Sequence, residues 1–212
     1  MKITIFGATG KTGQFMLKQA LERGYEVVAF VRSPQKITLH DPHLTVVQSE
    51  LSEREKITSA IAGTGCVLSA LGPTGNVEGD KQLSDGIANI LIAMKECNVK
   101  RFIVLSTTSA QDPSDKDNLN FKSRRAMIRL SRPTTFEQIV KYSQLVRDSD
   151  TDWTLVRIAS LLTNASLSKH VHTGYLGRNK LKGKLSRANL AWYMLEQIKR
   201  TKDIRKAPAI SD

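Results

Sequence analysis

Apolar residues in this chain fall in short runs separated by amphipathic stretches, and the alternation is regular over the first half. Lys2–Phe6 is β-branched and apolar and stops at Gly7; Gly13–Arg23 then shows helical spacing through Met16, Leu17, Ala20 and Leu21. Gly24 fits the position after a helix where φ is positive. Glu26–Val31 and Leu44–Val47 read as the next two strands. Ser52 and Glu55 have the spacing of a capping box, opening a helix through Ile57, Ala60 and Ile61 to Gly63. Cys66–Leu71 is a fourth strand. A helix from about Lys81 to Glu96 puts Leu83, Ile87, Ile90, Leu91 and Met94 on one face, and Arg101–Leu105 is a fifth strand. Each helix returns the chain to the same end of the sheet, so the strands run parallel with helices on both faces. That is the doubly wound α/β class.

After Ser106 the regularity stops. Residues 107–133 are polar, with three Asp and six Lys/Arg, and only Ala126–Leu130 reads as a short helical turn. A loop this long in a compact domain is usually a lid or binding segment. Helix resumes from about Thr135 to Asp148, a sixth strand covers Trp153–Ile158, and Ser186 caps a last helix over Arg187–Lys199. The expected organisation is one domain over 1–212, with 107–133 and 159–186 as substrate-side loops and a small C-terminal substrate region.

Composition narrows the class. The 212 residues are 40% hydrophobic and 25% charged, ordinary values for a chain with a sizeable core. No apolar run approaches the roughly 20 residues of a membrane-spanning helix, and Ile3–Phe6 is too short for a signal peptide. Cys66 and Cys97 cannot frame a disulfide scaffold, so buried thiols and a cytoplasmic location are expected. The net charge is +12, with 11 basic and 2 acidic residues between Lys169 and Lys206. No zinc spacing, RNA-binding aromatic pattern or helix-turn-helix accompanies that charge, so nucleic acid is not the favoured partner. A phosphate-rich small ligand and a solvated face account for it better.

The sharpest motif is Gly7-Ala8-Thr9-Gly10-Lys11-Thr12-Gly13, between the first strand and first helix. Glycines there let backbone N–H groups approach a pyrophosphate, and the helix N-terminus adds free donors and a positive dipole end. Gly10-Lys11-Thr12 superficially matches a triphosphate loop, but that loop needs glycine where this chain has Ile5. A dinucleotide is therefore the expected cofactor, against a degenerate site that binds nothing. At the end of the second strand, NAD sites commonly carry an acid for the ribose 2′-OH. No acid occurs between Glu26 and Asp41; the strand ends in Val31-Arg32-Ser33. Arginine and serine suit a 2′-phosphate, which predicts NADPH with NADH as the alternative. An exposed arginine opening a loop is the plainer reading of Arg32.

With Ile5-Phe6-Gly7-Ala8-Thr9-Gly10, Gly24-Tyr25-Glu26-Val27 leading to Val31-Arg32, Gly86-Ile87-Ala88-Asn89-Ile90, Val99-Lys100-Arg101-Phe102-Ile103 and Trp153-Thr154-Leu155-Val156-Arg157 in that order, the chain resembles the atypical short-chain dehydrogenases of NAD(P)H-binding, NmrA-like type. Within them it is most similar to the branch of biliverdin-IXβ/flavin reductase and bacterial NADH-flavin reductases. The resemblance implies a Rossmann fold in which Gly7, Ala8, Thr9, Gly10, Lys11, Thr12 and Gly13 hold the pyrophosphate. It places Arg32 and Ser33 at the adenosine 2′ position and Ala70, Leu71 and Gly72 beside the inner ribose. Ser106 and Thr107 fall near the nicotinamide, and Ile158, Ala159 and Ser160 close its other side.

Carbonyl reduction in short-chain dehydrogenases uses a Tyr-x-x-x-Lys pair. Four residues after Tyr25, Tyr142, Tyr175 and Tyr193 stand Ala29, Val146, Asn179 and Gln197, so the pair is absent. Flavin reduction does not need it, because the reduced ring collects its proton from solvent and the protein supplies stacking and orientation. The expected activity is hydride transfer from NAD(P)H to FMN, another flavin or a similar small planar acceptor held as substrate. Ser106 and Thr107 are the candidate catalytic residues, with satisfaction of strand-end backbone groups as their alternative role. The rival is a non-catalytic NADP(H)-binding regulator that signals to a protein partner through 107–133. No metal is expected: His40 and His43 read as a surface turn, and His170 with His172 lack an acid or cysteine nearby. Trp153 and Trp192 fit core or subunit packing better than a flavin-stacking role. Lys180, Lys182 and Lys184 read as a solvated edge strand that could attract a flavin phosphate.

Overall fold

The computed structural model describes residues 1–73, 77–116, 119–159, 161–178 and 181–212. Its sheet is assembled as the apolar runs predict. Strands β1 (Lys2–Phe6), β2 (Glu26–Val31), β3 (Leu44–Gln48), β4 (Cys66–Ser69), β5 (Arg101–Thr107) and β6 (Asp152–Ile158) are all parallel. Their spatial order is β3-β2-β1-β4-β5-β6, so the chain reverses its direction of travel between β1 and β4. In sheets of this kind ligands bind in the crevice beyond the carboxyl ends of the strands at that reversal. The buried strands are nearly continuous apolar runs, because helices cover both faces.

Helices α1 (Lys11–Glu22) and α7 (Arg187–Glu196) pack on one face with Met16, Leu17, Leu190 and Met194 in the core. On the other face lie α2 (Arg54–Ile61), α4 (Leu83–Glu96) and α6 (Pro133–Asp148), which bury Ile57, Ile87, Ile90 and Tyr142. A short helix α3 (Val77–Lys81) precedes α4. Gly24 ends α1 with φ of 74°, and the Ser186 side chain accepts from the Ala188 N–H to cap α7.

Four local expectations need correction. Ser52 does not cap α2: the helix starts two residues later, its N-cap is Glu53, and no side chain caps it. Glu53 instead turns back, accepting from the Ser49 hydroxyl at 2.6 Å and the Glu50 N–H at 3.0 Å. Second, 107–133 is not mostly loop; α5 runs over Leu119–Ser131. Its Leu, Lys, Arg, Ala and Met residues favour helix, but Leu119, Met127 and Leu130 are exposed, so no core-facing stripe betrayed it. Third, Cys66 is buried but Cys97 only half so, its thiol donating to the Thr58 carbonyl at 3.4 Å. Fourth, Lys184 opens β9 (Lys184–Ser186), which pairs with β7 (Leu161–Thr163) in a separate two-stranded sheet rather than edging the main one. Lys180 lies outside the described residues.

The C-terminus supplies a strand that the pattern did not reveal. β10 (Ala209–Ser211) runs parallel to β6 and antiparallel to β8 (His172–Gly174), extending the main sheet to eight strands. Its three residues are too few to show a period. Among the described residues no helix is long and apolar enough to cross a membrane, and no cluster of three or more metal-ligating side chains occurs.

Candidate functional site

A cavity of about 610 Å³ opens over the carboxyl ends of β1, β2, β4, β5 and β6. Its floor is the glycine turn. Gly7 has φ of 79°, and a Cβ there would stand 2.9 Å from the Ala70 carbonyl carbon, so β1 and β4 meet too closely for any side chain. Gly10 donates its N–H to the Gly7 carbonyl at 3.0 Å and then serves as the N-cap of α1. A Cβ on Gly13 would lie 2.0 Å from that same carbonyl oxygen. Glycine at 13 is thus what seats the first turn of α1 against the strand end. No side chain caps α1 and no acid occupies its first turn, which leaves its N-terminal donors and dipole for an anion. Gly7, Thr9, Gly10, Lys11 and Thr12 line the cavity, whereas Ala8 is buried in the core and Gly13 lies behind the turn. The backbone and the uncapped helix fit the diphosphate of a dinucleotide.

At one end Arg32 lines the cavity from the tip of β2 and is exposed. Ser33, beside it, caps the 3-10 turn Pro34–Lys36 and is not among the lining residues. Ser49 and Leu51 form a wall of the cavity. The Leu51 side chain packs so closely over Gly86 that a Cβ there would meet it at 2.7 Å, and Asn89 donates to the Leu51 carbonyl at 2.8 Å. Glu53 braces the same loop; hydrogen bonds from Lys56, Ser49 and the Glu50 N–H pull its carboxyl down to about 2.

The middle and far end are apolar or hydroxylic. Ala70, Leu71, Gly72 and Pro73 follow β4, and Leu105, Ser106, Thr107, Tyr142, Ile158 and Leu162 surround the other end. Ser106 is buried, with its hydroxyl 2.9 Å from that of Ser143 on α6. Thr107 Oγ1 accepts from the Ser109 N–H at 3.2 Å. Tyr142 donates to the Leu105 carbonyl at 3.0 Å, and burial pushes its hydroxyl up to about 12 against a smaller downward pull from Ser106. It keeps its proton at neutral pH and already has an acceptor for it. Ala159 is buried behind Ile158, and Ser160 lies outside the described residues. Arg187 also lines the cavity, held by a 2.8 Å bond to Asn164 Oδ1.

Among the lining residues that were not sequence candidates are Tyr142, Arg187 and Leu51. Tyr142 fails the Tyr-Lys test and shows nothing in its place, since only the packing of α6 on β5 brings it to the cavity. Arg187 was legible in principle, as the first residue after a recognised N-cap. The four histidines are exposed and stand apart from the cavity; His43 takes part in a turn, its N–H bonded to Asp41 Oδ1 at 2.8 Å. Trp153 is core and Trp192 half-buried.

A family model described as NAD(P)H-binding matches residues 7–201. Among curated proteins, a 3-beta-hydroxysteroid dehydrogenase of Mycolicibacterium neoaurum is 28% identical over 119 residues, 51% of this chain and 32% of the relative. The isoflavone reductase homolog A622 of Nicotiana tabacum is 30% identical over 112 residues, 48% of this chain and 34% of the relative. The chain thus spans about a third of the length of these relatives. Among solved structures, a short-chain dehydrogenase/reductase of Veillonella parvula in complex with NADP superposes with a TM-score of 0.81 at 15% identity, covering 100% of this chain and 94% of that one. SP1627 of Streptococcus pneumoniae, a candidate NADH-flavin reductase, gives 0.78 at 18% identity over 100% and 99% of the two chains. At such identities the structures speak for the fold.

Proposed function

Because the chain belongs to the NAD(P)H-binding family, we propose that it is an NAD(P)H-dependent reductase that passes hydride to a flavin or similar planar acceptor. The observation that carries this reading is the contrast between the two ends of one cavity. One end offers an uncapped helix and glycine backbone to a diphosphate; the other offers Leu105, Ile158 and Leu162 with hydroxyls already hydrogen-bonded inside the protein. A carbonyl substrate needs a positioned acid to protonate its oxygen, and Tyr142 has its proton committed to the Leu105 carbonyl. A flavin needs none. NAD(P)H and a proton from water reduce it by two electrons, giving NAD(P)⁺ and the dihydroflavin.

In this reading the protein binds, orients and dries the reacting rings. The N–H groups around Gly10–Gly13 hold the diphosphate, Arg32 selects the 2′-phosphate of NADPH, and Ile158 and Leu162 exclude water. Ser106 and Thr107 stand where a carboxamide would lie.

The test follows NADPH and NADH oxidation by near-ultraviolet absorbance with FMN, FAD, riboflavin and a quinone. Turnover above the uncatalysed background is expected with at least one flavin. Tight NADPH binding with no consumption across the panel would replace this reading by that of a cofactor-sensing regulator.

A further inference from the structure

A second cavity of about 590 Å³ is lined by residues that adjoin those of the first in the chain. It sits between the segment that follows β5, the first turns of α5 and the last turns of α6. Thr108 lines this cavity while Thr107 lines the first, and Arg124 of α5 donates to the Ala159 carbonyl at 3.3 Å.

Its charge is unbalanced in a specific way. The cavity has two carboxylates, and each already has its own arginine. Asp112 pairs with Arg147 at 3.0 Å. Asp115 takes both guanidinium nitrogens of the fully buried Arg157 at 2.6 and 2.8 Å. Burial pushes the Asp115 carboxyl up, but the Arg157 bonds and two backbone N–H groups outweigh it and hold the group below its usual value. Lys116, Arg124 and Arg125 then remain, and among the described residues none of them has a carboxylate partner. Arg125 spends its Nε on the Ser109 carbonyl at 3.2 Å and lies 5.1 Å from the Phe136 ring centre, with Arg129 as its nearest charged influence.

The backbone that carries Lys116 is held in place. The Lys116 N–H donates to the Leu176 carbonyl at 2.8 Å, and the Leu176 N–H donates to Asp115 at 3.0 Å. Gly177, with φ of 70°, seats the turn so tightly that a Cβ would come 2.5 Å from the Lys116 carbonyl oxygen. A lysine and two guanidinium groups lining one cavity, with no carboxylate partner among the described residues, match a phosphate monoester in charge.

We propose that this second cavity binds the phosphate of the acceptor, so that the enzyme selects a phosphorylated planar acceptor over its neutral counterpart, with Lys116, Arg124 and Arg125 as the selecting residues. Only the identity of the molecule rests on the reductase reading; the anion site stands on its own geometry. It also moves the phosphate away from Lys182 and Lys184, the residues that the sequence offered for it.

FMN and riboflavin share a ring and differ by that phosphate, so the experiment compares their KM values with saturating NADPH. FMN is expected at least tenfold below riboflavin, with the ratio shrinking as salt is raised. In Arg124→Gln and Lys116→Gln the ratio is expected to fall towards one, whereas a merely structural loss would raise both KM values together. A ratio near one in the unaltered protein, or one that neither substitution moves, overturns the proposal. If neither flavin is reduced, the reductase reading fails while the site is still tested. FMN binding to the NADP⁺-saturated protein, followed by flavin fluorescence, should be competed by inorganic phosphate and weakened in both variants. Inorganic phosphate titrated alone into the unaltered protein, followed by calorimetry, tests the site without a flavin, and absence of binding there overturns it.

Discussion

The two cavities draw on adjoining residues of the chain and are built from different materials. The floor of the first cavity is made of backbone: strand ends, a helix N-terminus and a glycine turn closed by the bond from the Gly10 N–H to the Gly7 carbonyl. The neighbouring cavity is made of long side chains from α5, α6 and the segment after β5, arranged by the Asp112–Arg147 and Asp115–Arg157 pairs. The first has almost no freedom in its residue types and the second has a great deal. A backbone site demands glycine at fixed positions, whereas a charged basin needs only that its acids be outnumbered.

Four experiments break or sharpen that contrast. The largest effect is expected at Asp115→Asn, which strips the buried Arg157 of its counter-charge while keeping an acceptor for the Leu176 N–H. Removing one partner of a buried pair costs about 3 kcal/mol or more, and in a domain of this size each kcal/mol lowers Tm by about 2–4 °C. Thermal unfolding should show the loss, and NADPH affinity should change far less than stability. The pH dependence has a definite sign. The native Asp115 carboxyl lies below its unfolded value, so its contribution is complete above the ordinary carboxylate range and disappears as pH falls through the folded value. The Asp115→Asn variant should lack that portion of the acid-induced loss.

Gly13→Ala reverses the pattern. Its Cβ would sit 2.0 Å from the Gly7 carbonyl oxygen, so the turn or the helix must move. Overpacking of this kind costs about 1–3 kcal/mol, but the larger consequence falls on the cofactor. Calorimetric titration should show NADPH affinity reduced by about a hundredfold, close to 2.8 kcal/mol. Full NADPH affinity in this variant would show that the turn does not hold the diphosphate.

Arg32→Ala is a smaller perturbation because the side chain is exposed and its pairing is screened. NADPH should bind about tenfold less tightly, near 1.4 kcal/mol, with NADH unchanged. An unaltered preference between the two nucleotides would assign Arg32 to the solvated surface.

The same contrast explains what the sequence could announce. Gly7, Gly10 and Gly13 are legible because sterics leave no substitute, and β1, β2, β4, β5 and β6 because strands buried on both faces must be apolar throughout. Helix α5 was hidden because its exposed Leu119, Met127 and Leu130 break the link between apolar spacing and burial. β10 was hidden by its three-residue length. Ser52 misled because a capping-box spacing says nothing of Glu53, which captured Ser49 and Glu50 instead. The charged cavity was invisible for a different reason. Its meaning lies in which acid pairs with which base, and Asp115 and Arg157 stand 42 residues apart.

The finest test concerns Ser106, which the sequence offered for catalysis and the structure bonds to Ser143 at 2.9 Å. If the hydroxyl only ties β5 to α6, Ser106→Ala and Ser143→Ala each cost about 1 kcal/mol, and the double variant costs little more than either alone, because both remove one bond. KM and kcat would then move alike in all three. If Ser106 also holds the nicotinamide amide, Ser106→Ala raises the NADPH KM while Ser143→Ala, which frees the hydroxyl, leaves it unchanged or lowers it. The double variant then follows Ser106→Ala in kinetics and either single variant in stability. That divergence separates a residue that touches the cofactor from one that only positions the strand carrying Thr107.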